Sequence, residues 1–344
     1  MRIGILPGPM LVQRDPALVQ QIRATLRALS LLQGPRSALS TVQLDAHAGG
    51  LDQVDLMHVF CACGASARMI AAARARKIPV VVSPLLLTGR DNTAAGPALV
   101  HASKILALGG QERAAILQDF LIDSARVALF PPGVGPSLFD ATGALFRSRT
   151  GIRGSYVLVA GSAAHLQQQD ALACALAQRG IGLLFLLAAQ DDDAVCLRRM
   201  SSLPGVCCLG DLQHDPAMWL SALAAASAVV LPGSDDRCAR SVLHALAVGT
   251  PVVTGHAAAA GLGIEARALR RVGMHDPHAW RGAVLALADA QPSRALVQAL
   301  ARPFSWEHAA RRLAACYAAL LPAGRLQPAK PVRHAQAEGA LSAA

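Results

Sequence analysis

Lysine is nearly missing from this chain: of 32 basic residues only Lys77, Lys104 and Lys330 are lysine, which leaves 29 arginines. In so alanine-rich a sequence this bias is what GC-rich codon usage produces, and the arginines are scattered rather than gathered on one segment. Aromatic residues make up 3% of the chain, which leaves little to stack on bases. The net charge of +10 and pI near 9.8 therefore do not lead us to expect a nucleic acid partner. No C-x-x-C pair occurs among the eight cysteines. Cys61 and Cys63 have no His or Cys cluster beside them, so no zinc site is expected, and the thiols inside apolar runs read as small hydrophobes. Uninterrupted apolar runs such as residues 183–189 (LLFLLAA) fall far short of the roughly 20 residues that cross a bilayer. The opening MRIGILPGPM lacks the order of a signal peptide, and cytoplasmic residence is the expectation.

What is present is apolar and regular. Hydrophobic residues are 53% and charged ones 16% of 344 positions, which excludes a disordered chain and accommodates about two domains of roughly 150 residues. Short β-branched runs alternate with Ala/Leu/Arg-rich stretches, the pattern of parallel sheets covered by helices. In the first half strands are expected at 2–6, 41–44, 54–60, 78–83, 103–108 and 126–130, with helices over 15–32, 65–76 and 112–120. In the second half strands are expected at 156–160, 181–187, 206–209, 228–231 and 251–254, with helices over 168–179, 191–200, 216–226, 239–248 and 306–321. The fold class is α/β, with two Rossmann-like doubly wound parallel-sheet domains facing a cleft. The expected boundaries are an N-terminal domain over 1–135, a linker over 136–153, a C-terminal domain over 154–321 and a disordered tail over 322–344.

Such sheets bind ligands at the carboxyl ends of their strands. A dinucleotide cofactor is not indicated: neither IGILPGPMLVQ nor VLVAGSAAHLQ contains G-x-G-x-x-G. The segment 229–253, VVLPGSDDRCARSVLHALAVGTPVV, reads as strand, loop, helix, turn and strand. An anion would sit where this loop meets the helix, because free N–H groups and the helix dipole favour negative charge there. Asp235 and Asp236 as helix caps, with Arg237 and Arg240 solvated, is the alternative.

That segment resembles the donor-binding stretch of family 4 retaining glycosyltransferases of the GT-B fold, whose pattern is roughly LPS..E..G...LEA.A.G.PVV. The resemblance runs in order over about 300 residues, through DLMHVF, IPVVVSP, QERAAILQDF, RVALFPPGVGPSLF, YVLVAGS, VCCLGDL, LSALAAASAVVLPGS and FSWEHAARRLAACYAALL. It implies transfer of a sugar from a nucleotide donor, held by the C-terminal domain, to a saccharide, lipid-linked or other acceptor on the N-terminal domain, with retention of configuration. It implies no metal and no cofactor, since helix N-termini and basic side chains can neutralise the leaving diphosphate.

Carried over residue by residue, the family's two glutamates fall on Asp236 and His244. The first contacts the donor sugar and the second the ribose; a neutral imidazole can still hydrogen-bond a ribose hydroxyl. The glycines between them fall on Arg237, Cys238 and Ala239. The basic pair that holds the donor diphosphate beyond the strand-end Gly161 falls on Ser162 and Gln167, so both charges are missing. Arg237 and Arg240 are the candidates to replace them. Glu265 matches the acid near the donor sugar, with a helix N-terminal acid as the alternative. His58 matches the family's first histidine at a strand end, and a satisfied core histidine is the alternative. The candidate catalytic residues are Asp236, Glu265 and His58; the donor-binding candidates are Gly161, Ser162, Gln167, Arg237, Arg240 and His244. The lost basic pair keeps open a second reading, a non-catalytic relative that binds or stabilises a partner protein. Bulk positive charge is compatible with transient contact at an anionic membrane, peripheral to the inner face of the cell membrane.

Overall fold

The computed structural model describes residues 1–7, 16–32, 39–45, 50–61, 63–86, 92–160, 169–186, 201–209, 215–232, 238–255, 260–264, 267–273 and 276–321. The expected helix over 191–200 and the tail over 322–344 lie outside the described residues.

Twelve strands among the described residues form two parallel six-stranded sheets. The first contains β1 (Arg2–Pro7), β2 (Ser40–Gln43), β3 (Leu56–Phe60), β4 (Val80–Ser83), β5 (Lys104–Ala107) and β6 (Val127–Leu129), in the order β2-β1-β3-β4-β5-β6. The second contains β7 (Tyr156–Ala160), β8 (Gly182–Leu186), β9 (Val206–Leu209), β10 (Ala228–Leu231), β11 (Val252–Gly255) and β12 (Leu269–Val272), in the order β12-β11-β10-β7-β8-β9. Strands such as Val80–Ser83 are buried along their whole length. A sheet covered by helices on both faces needs apolar side chains pointing both ways, which is why these strands read as continuous β-branched runs.

Helices α1 (Pro16–Leu31), α2 (Gly64–Ala75), α3 (Gly96–His101) and α4 (Gly110–Asp119) belong to the first lobe. The second carries α5 (Pro136–Phe139), α6 (Ala144–Thr150), α7 (Gln169–Ala177), α8 (Pro216–Ala225), α9 (Cys238–Ala247), α10 (Pro277–Ala290) and α11 (Arg294–Ala301). Among the described residues no helix is long and apolar enough to cross a membrane.

Two boundaries differ from the sequence expectation. The stretch read as a linker holds α5 and α6, whose Leu138 and Phe146 enter the core of the second lobe. Ser221 of α8 accepts a hydrogen bond from the Phe146 amide at 2.9 Å and donates to the Thr142 carbonyl at 2.7 Å, which fixes α6 in place. The last helix, α12 (Trp306–Ala319), packs on the first lobe rather than the second. Its Ala310, Leu313 and Tyr317 share a core with Ile3, Leu29, Val81 and Leu106. The chain returns beside its outgoing strand: Val134 N–H donates to the Phe304 carbonyl at 2.9 Å, and Trp306 N–H donates to the Val134 carbonyl at 3.1 Å. The Trp306 indole lies against Gly133, where no Cβ would fit. Periodicity shows that α12 is amphipathic but not which sheet its apolar face meets.

The sequence reading also missed β12 and the helices α3, α10 and α11. β12 is an edge strand whose middle holds Arg270 and Arg271, so it lacks the apolar run that marks its neighbours. Helix α10 starts as capping chemistry dictates, with the Asp276 carboxylate accepting from the Ala279 amide at 2.9 Å before Pro277.

Candidate functional site at the second lobe's switch point

From β7 the chain winds outward through β8 and β9, then returns to the other side of β7 to begin β10. This 3-2-1-4-5-6 order leaves the exits of β7 and β10 side by side, and such reversals open a crevice at the strand carboxyl ends. Val230 pairs with Val159, so Leu231 and Ala160 end adjacent strands. The segment after β7 leads into Gly161, Ser162 and Gln167; the segment after β10 leads into Asp236, Arg237 and α9. Those five residues and Glu265 lie outside the described residues. The strand ends beside them are firmly held: Thr254, fully buried, donates its hydroxyl to the Leu231 carbonyl at 3.1 Å.

Helix α9 buries Ala239, Val242, Leu243 and Leu246 against the sheet. Gly249, at φ +87°, takes the left-handed turn that ends it. Arg240 and His244 are half-buried and one turn apart, so they share a face of the helix. Burial first, and then the nearby Arg240 charge, push His244 down to about 4. Its imidazole is neutral near neutral pH and offers one donor and one acceptor. The ring can thus either donate or accept a hydrogen bond, on the helix that follows β10.

His58 is placed differently. It lies on β3, 1% exposed, beneath α12. Its Nδ1 is 2.6 Å from the Tyr317 hydroxyl and its Nε2 is 2.9 Å from the Ser83 hydroxyl, and its ring stacks on Phe60 with centroids 4.1 Å apart. Burial pushes His58 down to about 3 and Tyr317 well above the usual tyrosine value. A neutral ring with both nitrogens engaged internally is the environment of a satisfied core histidine, and in this arrangement no substrate reaches it. The partners of His58, Tyr317 and Ser83, both belong to the first lobe's core.

Sequence reasoning missed three residues that shape this region. Tyr317 and Ser83 close the polar cluster around His58. Glu112, on the first turn of α4, accepts from the Leu86 amide at 2.6 Å and the Leu108 amide at 2.5 Å, tying together the segments that leave β4 and β5. Its only sequence signal is an acid near a helix start, which is common. The start of α4 also approaches the second lobe. A Cβ on Gly261 would lie 2.8 Å from the Gly110 nitrogen and 3.1 Å from the Gly109 Cα, so the lobes meet there through glycine backbone. Among the described residues no three His, Cys, Asp or Glu side chains gather as metal ligands would.

Solved structures share this architecture. A glycosyltransferase from Rickettsia africae superposes with a TM-score of 0.70 at 11% identity, covering 93% of this chain and 98% of its own. A sucrose-phosphate synthase from Thermosynechococcus elongatus gives 0.61 at 16% identity, covering 93% and 99%. A UDP-GlcNAc 2-epimerase from Neisseria meningitidis, solved bound to UDP-GlcNAc, gives 0.59 at 12% identity, covering 92% and 99%. No family model matches the chain, and no curated protein matches it by sequence. The fold is therefore GT-B-like: two Rossmann-like lobes with a last helix that returns to the first.

Proposed function

We propose that this protein is a glycosyltransferase that takes a sugar from a nucleotide-sugar donor held at the β7/β10 exits and passes it, with retention of configuration and without a metal ion, to an acceptor on the first lobe. The observation that carries this reading is the side-by-side exit of β7 and β10 into the two segments that resemble donor-binding motifs. In this reading Asp236 and Glu265 hold the donor sugar. Gly161, Ser162 and Gln167 offer hydrogen bonds to the diphosphate, while Arg237 and Arg240 supply the positive charge that Ser162 and Gln167 lack. His244, neutral, bonds a ribose hydroxyl. His58 contacts no substrate and positions α12.

The chemistry asks little of the protein beyond placement. As the bond to the diphosphate breaks, negative charge grows on the leaving oxygens, and cations and helix N–H groups aimed there stabilise the transition state more than the ground state. The departing diphosphate can itself take the acceptor proton. In this reading the acceptor is a saccharide, a lipid-linked molecule or another hydroxyl-bearing compound. The second reading, a binding subunit without catalysis, rests on Ser162 and Gln167 standing where the resembling family has two cations.

Titration with UDP, GDP, ADP and their sugars separates the two. Binding in the micromolar range that Asp236→Ala abolishes, with donor turnover in the presence of acceptor extracts, supports the transferase. Silence across the panel, with a second protein co-purifying, overturns it in favour of the subunit.

A further inference from the structure

One face of the first sheet is covered less completely than the other. Helices α2, α3 and α4 cover one side, whereas among the described residues only α1 and α12 cover the other. After β6 the chain leaves for the second lobe, so among the described residues no third helix covers the half-buried Ala128, Leu129 and Phe130 beside α12, next to the buried Leu106 of β5. The result is a trough of about 420 Å³, within the range of small-molecule sites. Leu106, Ala128 and Phe130 line it from the sheet, and Ala315 and Ala319 of α12 with Leu320 just beyond line it from the helix. Leu106 and Phe130 also line a smaller cavity of about 20 Å³ that reaches Phe60, Ser83 and Leu85 at the strand carboxyl ends.

The charged groups on this trough are all of one sign. Lys104 and Arg312 line it, and no acidic side chain does. Lys104 Nζ donates to the Ala125 carbonyl at 2.8 Å, and Arg312 donates to the Leu129 carbonyl at 2.9 Å with its guanidinium over the Phe130 ring. Among the described residues neither meets a carboxylate within ion-pair distance. Each is therefore held at the trough by a backbone contact, with no carboxylate among the described residues pairing its charge. An apolar channel removes hydrocarbon from water, and unneutralised cations favour an anionic head.

We propose that this trough holds the hydrocarbon chain of an anionic single-chain lipid, with Lys104 and Arg312 taking its charged head. The site stands apart from the donor site, and its test reads binding rather than sugar transfer, so either proposal can fail without the other.

The probe is 11-(dansylamino)undecanoic acid, a fluorescent anionic amphiphile, used with the full chain. Its emission is expected to rise on binding and to be reversed by monododecyl phosphate. Dodecyl maltoside, with the same chain and a neutral head, should compete about ten-fold more weakly, and inorganic phosphate should not compete. Lys104→Gln with Arg312→Gln should weaken the probe about ten-fold, and Ala319→Trp, which fills the trough from an exposed helix position, should abolish binding while the thermal melt is unchanged. Location is read by alkylation of Cys316, which lines the trough, with exposed Cys174 as the internal control. Mildly alkaline pH suits this step because burial holds the Cys316 thiol up. Monododecyl phosphate should slow alkylation at Cys316 and leave Cys174 unaffected. The proposal is overturned if Cys316 is not protected, if the neutral amphiphile competes equally, or if Cys316 becomes protected with protein concentration in the absence of lipid, which would assign the trough to a second copy of the chain.

Discussion

Two histidines, one in each lobe, are both held neutral by burial, yet they stand in different surroundings. His58 lies in a closed polar cluster whose members come from β3, β4 and α12, with both ring nitrogens engaged by hydroxyls. His244 is half-buried on α9, one turn beyond Arg240, on the helix that follows β10. A lowered pKa alone therefore does not mark a functional group; what distinguishes them is whether the ring's hydrogen-bonding capacity is spent inside the fold.

The sharpest way to break this contrast is to remove His58. His58→Leu leaves the Tyr317 and Ser83 hydroxyls buried without their partner, and we expect a loss of about 3–5 kcal/mol in urea denaturation. Adding Tyr317→Phe and Ser83→Ala should recover part of that loss. A variant with wild-type stability but no transferase turnover would instead return His58 to the substrate.

Acid sharpens it further. The folded His58 titrates at about 3, below its unfolded value near 6.5, so the unfolded chain takes up the proton first as pH falls. Its contribution to stability is complete above about pH 6.5 and is lost between there and about pH 3, amounting to about 3 kcal/mol by about pH 4.5. Denaturation across this window should show a shallower pH slope for His58→Gln than for the wild type. Equal slopes would mean that His58 is not the group being titrated.

For His244 the expected effects are smaller and concern ligands. Arg240→Ala removes a like charge, so the His244 pKa should rise while burial still keeps it below the usual value; histidine NMR titration reads this directly. In the same variant, loss of one charge-assisted contact should weaken nucleotide diphosphate binding about 10- to 100-fold. Unchanged affinity would remove Arg240 from the donor site. The smallest effect is expected where the lobes touch. Gly261→Ala places a methyl against the Gly110 backbone, costing about 1 kcal/mol and enlarging the radius of gyration seen by X-ray scattering.

Much of the fold was legible because strand and helix signals are local. Runs such as IPVVVSP and YVLVAGS mark buried parallel strands within a residue or two, since a strand covered on both faces must be apolar on both. The edge strand β12 was not legible because Arg270 and Arg271 interrupt the apolar run. Of the site, the Arg240–His244 face and the β10-loop-α9 unit could be located from sequence. The partners of His58 could not: a tyrosine 259 residues away carries no local mark of the contact.

By itself the sequence determined that this chain builds two parallel sheets and places a helix amino end after β10, because periodicity and turn chemistry act over a few residues. Only the tertiary structure decided that α12 returns to the first lobe, closes over His58 and, among the described residues, leaves Ala128 and Phe130 half-buried at its side. Which apolar face meets which sheet depends on the packing of segments far apart in the chain, and no local pattern encodes that choice.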